Sequence, residues 1–261
     1  MIAPKKLPET YQRWNSAHGA PHGHPIHFGR LRKRWLPESW LRGQGPFSVQ
    51  PNNTIRAFEY PWAFDVAKIQ PGMKTLEIGG GLAGLQFTLA QAGCQVVNVD
   101  PGMEAAGVGW PCDANSLARL NRIFGTDVEL RNTTIEKAVL ADNEFDRAFS
   151  ISVIEHLPPV DAANVMAHAF RCLKPGGLFI ITVDLFLNLA PFTARERNSY
   201  GHNQDIRELI SGQPWQLVAG RREELFGHPE FDADKIQSRL EEFFVGDYPA
   251  LAQCLVLQKL A

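Results

Sequence analysis

Between Lys74 and Asp184 the chain alternates short apolar segments with helix-length ones, and this alternation constrains the fold more than any other feature. Strands are expected at Lys74–Ile78, Gln95–Val99, Val128–Arg131, Asp146–Val153 and Leu178–Asp184. Helices are expected at Leu82–Ala92, Asp113–Phe124 and Val160–Leu173, stopped by Gly93, Gly125 and Lys174-Pro175-Gly176-Gly177. Strands that are mainly apolar and separated by such helices predict a parallel sheet covered on both faces. The fold class is therefore α/β, Rossmann-like and doubly wound. Flanking segments are less regular. Residues 1–50 read as an extended N-terminal arm, and 51–261 as the domain proper. The stretch around Asn52–Lys68 is helical, with Pro61 starting or kinking a turn. Residues 185–250 read as a late insert, with helices near Gln204–Ile210 and Asp232–Phe243, before a last strand at Gln253–Leu257.

The first predicted strand runs into Thr75-Leu76-Glu77-Ile78-Gly79-Gly80-Gly81-Leu82-Ala83-Gly84. Gly79, Gly81 and Gly84 form a GxGxxG turn, where glycines permit a tight bend and close approach of backbone to a nucleotide. Glu77 lies two residues before it, at the C-terminal edge of the sheet. A carboxylate there would repel a pyrophosphate but suits an ammonium or sulfonium charge. The second strand ends in Asp100, where an acid can accept hydrogen bonds from both ribose hydroxyls. Phe145-Asp146-Arg147-Ala148-Phe149-Ser150-Ile151-Ser152-Val153-Ile154-Glu155-His156-Leu157 spans the fourth strand, and Leu173-Lys174-Pro175-Gly176-Gly177 precedes the fifth.

In this order the motifs resemble those of the class I S-adenosylmethionine-dependent methyltransferases, over roughly Lys74 to Asp184. One departure is Ala83, where the family commonly has a third glycine. The resemblance implies a seven-stranded, mostly parallel sheet with a reversed final strand, and S-adenosyl-L-methionine as cofactor. It implies that the Glu77, Gly79, Gly80 and Gly81 segment holds the methionine end. Asp100 would take the ribose, with Pro101 beside it, and Met103 would flank the adenine. Thr134 would meet the adenine amine, with Ile135 against the ring. Glu155 and His156 follow the fourth strand, where the family brings methyl and acceptor together. Some relatives bind Mg²⁺ there through ExxEH. Here Ser152 replaces the first acid and is grouped with the cofactor-side residues. One carboxylate and one imidazole are a poor site for a cation that wants several oxygens, so no metal is expected. His156 reads either as a general base, since an imidazole can take a proton near neutrality, or as a residue that caps a helix or satisfies backbone.

Charge and cysteines narrow the partners. The net charge is −2, which disfavours a globally basic nucleic-acid binder. The first 45 residues nevertheless carry eight Lys/Arg against Glu9 and Glu38, and half of the eight histidines. The histidines at 18, 22, 24 and 27 lack the spacing of a metal site. Cys94, Cys112, Cys172 and Cys254 form no CxxC pair and read as thiols in a reducing compartment. The greasiest run, Leu178 to Phe192, is broken by Asp184 and Asn188, so no membrane span is expected, and a cytoplasmic protein is.

The expected acceptor is a small molecule. In this family the arm and the segment after the fifth strand commonly form the lid over it. Tyr11, Trp14, Trp35, Trp40 and Phe47, with Gln50, Asn52 and Asn53, lie in or beside the arm; Phe186, Phe192, Arg195, Arg197, Tyr200, His202 and Asn203 lie in the insert. Such aromatics with Arg and Asn suit a partly apolar acceptor, and equally suit simple packing. The leading reading is methyl transfer to an oxygen or nitrogen. The alternatives are a non-catalytic S-adenosylmethionine-binding module and a nicotinamide-dependent oxidoreductase; Glu77 argues against the latter.

Overall fold

A computed structural model describes residues 1–20, 37–49, 53–102 and 112–260. Its centre is one seven-stranded sheet in the order β3-β2-β1-β4-β5-β7-β6. These strands are β1 (Lys74–Ile78), β2 (Gln95–Val99), β3 (Glu129–Arg131), β4 (Phe145–Ile151), β5 (Leu173–Phe186), β6 (Trp215–Ala219) and β7 (Ala250–Lys259). The ladders from β3 to β5 are parallel, and β7 runs antiparallel to both of its neighbours. The expected doubly wound sheet with a reversed last strand is what forms.

The eight described α-helices are α1 (Glu9–His18), α2 (Glu38–Gln44), α3 (Arg56–Ala67), α4 (Gly84–Gln91), α5 (Ala114–Phe124), α6 (Pro159–Cys172), α7 (Ile206–Ser211) and α8 (Ala233–Ser238). Alternation along the strands sorts the core into two layers. Leu76, Ile78, Ala148, Phe179 and Ile181 meet Met166 of α6 and Ile206 of α7 on one face. On the other, Phe149, Ile180, Cys254 and Val256 meet Trp62 of α3, Phe87 of α4 and Phe124 of α5. By the same alternation Thr75 and Glu77 of β1, and Thr182 and Asp184 of β5, turn toward the α3 side.

Pro61 lies inside α3 and neither starts nor ends it. Proline has no N–H to give the carbonyl four residues back. That carbonyl, Ala57 O, instead accepts Asn15 Nδ2 at 2.8 Å, from the buried Asn15 of α1. The helix breaker thus creates the acceptor that docks the arm. Further on, Phe47 is fully buried, and a Cβ on Gly84 would fall 2.5 Å from its ring. Ile2 bridges to Gln253, and Ala3 N–H donates to Ala252 O at 2.9 Å.

Three elements differ from the sequence expectation. The arm contains α1 and α2. The region 185–250 supplies the outer strand β6 as well as loops. The helix expected over Asp232–Phe243 is split into α8 and a single 3₁₀ turn at Leu240–Glu242. Met103, His22, His24, His27, the Arg30–Arg34 run, Trp35, Gln50 and Asn52 lie outside the described residues.

Candidate functional site

The turn from β1 into α4 is built as its glycines require. Gly79 and Gly81 have φ of +72° and +53°, in the left-handed region that a side chain disfavours. Gly80 is required for another reason: a Cβ there would lie 2.6 Å from the Glu77 carboxyl carbon. Glu77 is therefore folded directly beneath the turn. It is 2% exposed, and its Oε2 has no hydrogen-bond partner. Burial, then the nearby Asp100 charge, push its pKa up to about 8.

Asp100 stands across the turn at the end of β2. Its Oδ2 accepts Gly81 N–H at 2.7 Å, and its Oδ1 accepts Gly102 N–H at 2.6 Å. Burial raises its pKa, and those two N–H bonds oppose the rise. A carboxylate has about four acceptor positions, so each oxygen retains capacity for one more donor. Asp100 is thus fixed in orientation while still able to bind two hydroxyls. Gly81 O is itself held by Asn98 Nδ2 at 2.8 Å, Gln86 Nε2 at 3.1 Å and Cys112 Sγ at 3.2 Å.

The residues expected near the adenine and ribose are arranged differently. Thr134 Oγ1 donates to Glu136 Oε2 at 2.8 Å, so its hydrogen is committed, while its lone pairs are not. Ile135 is buried in the α6-side core layer. Pro101 is half-buried beside Asp100.

After β4 the chain turns sharply at Ser152, whose φ is +54°. Its N–H donates to Thr182 O at 3.0 Å and lies 3.1 Å from Thr182 Oγ1, which holds the turn against β5. Its Oγ donates to Glu155 Oε1 at 2.6 Å. Glu155 is fully buried, and its Oε2 has no partner. Gln204 Nε2 reaches back to Ile154 O at 2.8 Å and Leu157 O at 3.1 Å, so the late segment clamps this turn. His156 Nδ1 pairs with the carbonyl of Tyr200. A carbonyl only accepts, so Nδ1 carries the hydrogen, and in the neutral ring Nε2 keeps its lone pair. Nε2 is 3.8 Å from Glu155 Oε1. Helix α6 begins at Pro159 with no side-chain cap, so His156 caps nothing there.

Beside this turn is a group that the sequence pattern did not bring together. Asp184, fully buried near the end of β5, accepts the Tyr248 hydroxyl at 2.5 Å. Arg56 pairs with the buried Glu59 of α3. Burial, the Glu155 charge and then the opposing Arg56 charge leave the pKa of Asp184 raised to about 6. One signal was available: an aspartate near the end of a strand, set between the apolar Val183 and Leu185.

Comparison with known proteins fits this arrangement. Residues 76–181 match the family described as methyltransferase domain. Over that segment the chain is similar to a methyltransferase domain. The chain is 35% identical over 152 residues to the ubiquinone biosynthesis O-methyltransferase of Hahella chejuensis, covering 57% of this chain and 58% of that protein. To the protein of the same name from Pseudomonas entomophila it is 28% identical over 216 residues, covering 76% and 82%. The S-adenosylmethionine dependent methyltransferase from Mesorhizobium loti superposes with a TM-score of 0.53 at 14% identity, covering 77% of this chain and 97% of that one. The match thus spans little more than half the length of the Hahella protein. Among the described residues no helix is long and apolar enough to cross a membrane.

Proposed function

We infer that the protein is an enzyme that moves a methyl group from S-adenosyl-L-methionine to a hydroxyl oxygen of a small-molecule acceptor. The observation that carries this reading is Glu77, a buried carboxylate with an unpartnered oxygen directly under the glycine turn. A nicotinamide cofactor would set its pyrophosphate against that charge. The ammonium of a methionine moiety would satisfy it. Glu77 and the Gly79–Gly81 backbone would hold the amino-acid end, and Asp100, next to Pro101, the ribose. Thr134, Ile135 and Met103 are proposed for the adenine side. The cofactor supplies a methyl already activated on a sulfonium, so the chain's task is to position the acceptor and take its proton.

His156 is the proposed base. Its Nδ1–H on the Tyr200 carbonyl orients the ring, and Nε2 is the atom that would receive the hydroxyl proton. Ser152 and the buried Glu155 fix the turn that carries it. The arm and the region 185–250 are proposed to line the acceptor side. The reading places the enzyme in the cytoplasm, supported by four buried free thiols at Cys94, Cys112, Cys172 and Cys254. The oxygen preference is supported by the names of the two O-methyltransferase relatives.

Calorimetry with S-adenosylhomocysteine tests the cofactor half. Asp100→Ala is expected to weaken binding by about 1.5–3 kcal/mol, the worth of hydrogen bonds to a charged group. Unchanged affinity removes Asp100 from the site. For the base, His156→Ala is expected to lower kcat by roughly 10²–10⁴-fold, with the loss shrinking at high pH, where the acceptor ionises unaided. A pH-independent loss of a few-fold would leave positioning as the whole of catalysis.

A further inference from the structure

Once Glu77 is set aside, the other buried carboxylate oxygens that lack a partner among the described residues gather in one place. Asp184 lies near the end of β5, Glu59 and Arg56 come from α3, Tyr248 enters just before β7, and Glu155 enters from the turn after β4. Tyr248 is bonded to Asp184, Arg56 to Glu59, and Ser152 to Glu155. Asp184 Oδ1, Glu59 Oε1 and Glu155 Oε2 remain buried and unpartnered. Three carboxylates thus stand against one guanidinium, that of Arg56 beside Glu59 and Asp184, and the His156 imidazole 3.8 Å from Glu155. An anion would worsen that imbalance, a neutral group would leave it standing, and a cation would relieve it. Raised pKa values at Asp184 and Glu59, with burial the leading cause at both, agree with a shortage of positive charge.

The rim of this cluster is aromatic. Tyr200 and Tyr248 stack with centroids 4.5 Å apart and planes 18° apart, and Phe186 lies 6.0 Å from Tyr248. Tyr200 is 46% exposed while the carboxylates beneath are closed off, so this rim is the approach from solvent. Aromatic faces attract both flat rings and cations.

We propose that this cluster is the acceptor-recognition subsite, and that the acceptor carries an ammonium group attached to a planar, hydroxyl-bearing ring. Asp184 and Glu155 take the ammonium, and the ring lies against Tyr200 and Tyr248. This rests on the methyltransferase reading above and narrows its acceptor to a cationic class. Tyr200 has two functions in this arrangement, because its carbonyl also orients His156.

Tyramine, 4-ethylphenol and 4-hydroxyphenylacetate carry the same phenol with a cationic, neutral and anionic tail. Their binding to the full chain is measured by calorimetry with S-adenosylhomocysteine saturating. Tyramine is expected to bind about tenfold more tightly than 4-ethylphenol, with the acid weakest. Asp184→Asn is expected to abolish the preference for tyramine and leave S-adenosylhomocysteine affinity unchanged. Tyr248→Phe keeps shape and charge while removing the hydroxyl that orients Asp184, and is expected to reduce the preference. It decides the matter if Asp184→Asn does not fold. Equal binding of tyramine and 4-ethylphenol, tighter binding of the acid, no binding of any of the three, or a preference that survives the variants would overturn the subsite. If S-adenosylhomocysteine itself does not bind, the methyltransferase reading fails and this inference with it. If it binds but tyramine is not preferred, only the cationic subsite fails.

Discussion

The two edges of the sheet treat charge in opposite ways. At the edge where the parallel strands begin, Asp146 accepts Lys74 N–H at 2.9 Å and Lys174 Nζ at 2.7 Å. Lys74 Nζ meets Glu144 at 3.3 Å, and Lys259 Nζ donates to Asn143 Oδ1 and Leu173 O. These groups are partly exposed and partnered. At the edge where the strands end, Glu77, Glu155 and Asp184, with Glu59 above them, are each at most 2% exposed. Every one of them has an oxygen with no partner. The pKa shifts follow suit. Burial works against the Asp146 charge, yet Lys174 and the Lys74 N–H hold its pKa below the usual value. At Glu77 nothing opposes burial, and the pKa rises to about 8. A buried acceptor left empty costs stability, so a fold retains a group of them where a ligand brings the donors. One edge is finished by the chain itself. The other leaves its acceptors open.

The strongest way to break this comparison is at the cation that keeps the unfinished edge tolerable. Arg56 is the guanidinium next to Glu59, and Asp184 also feels its charge. Arg56→Ala leaves Glu59 buried and uncompensated, with an expected cost of about 3–5 kcal/mol. At about 2–4 °C per kcal/mol, the melting temperature should fall by roughly 10 °C. Adding Glu59→Gln should recover part of the loss, because the stranded charge is then gone. A neutral Arg56→Ala would mean that these carboxylates are not short of positive charge, and the contrast between the edges would collapse.

Glu77→Gln sharpens the comparison through pH. The folded pKa of Glu77 is raised from 4.5 to about 8. A raised carboxyl pKa means that the folded state holds the proton more tightly than the unfolded one. Its contribution to stability is then fully present below pH 4.5 and lost as pH rises toward 8. Glu77→Gln cannot ionise and is expected to melt higher than the wild type at pH 8, by about 2–4 °C per kcal/mol recovered, with a much smaller difference at pH 5. The same variant is expected to lose affinity for S-adenosylhomocysteine. Thermal melts of the ligand-free protein at both pH values check the first part, and calorimetry the second. A variant that melts lower at pH 8 would show that Glu77 is satisfied without a ligand.

How much of this was legible in the sequence depends on how local the signal was. Glu77, the glycines and Asp100 lie within 24 residues of one another, and the two strands that flank the turn, Lys74–Ile78 and Gln95–Val99, are short and have Gly or Pro within two residues of each end. The central strands and the turn could therefore be read directly. Strand β6 could not, because Trp215–Ala219 is five residues long and alternately exposed at the sheet's rim. Helix α1 could not either, since it is held by Asn15 on a carbonyl that Pro61, far along the chain, leaves free. The cluster around Asp184 was the least legible part. Arg56, Glu155, Asp184 and Tyr248 are drawn from four distant segments and meet only through the sheet order. The pairing of His156 with the carbonyl of Tyr200 is equally non-local.

The smallest expected effect belongs to the finished edge, and it is the control that gives the others meaning. Lys174 Nζ lies 2.7 Å from Asp146 Oδ1, but the two side chains remain 44% and 25% exposed. Water screens such a pair, and ordering a lysine costs conformational entropy, so exposed ion pairs contribute about 0–1 kcal/mol. Lys174→Ala is expected to lower the melting temperature by no more than about 2–4 °C. Affinity for S-adenosylhomocysteine should be unchanged, since the substitution sits at the far end of the strands from Glu77 and Asp100. Its pH dependence should also run opposite to that of Glu77. A depressed folded pKa at Asp146 gives stability that is present above the unfolded pKa and lost as pH falls through the folded one. The difference between wild type and Lys174→Ala should therefore be seen at neutral pH and vanish in acid, and it should shrink in high salt. A Lys174→Ala protein that lost cofactor affinity, or fell as far in stability as Arg56→Ala, would show that the two edges are coupled through the strands and that neither is finished independently of the other.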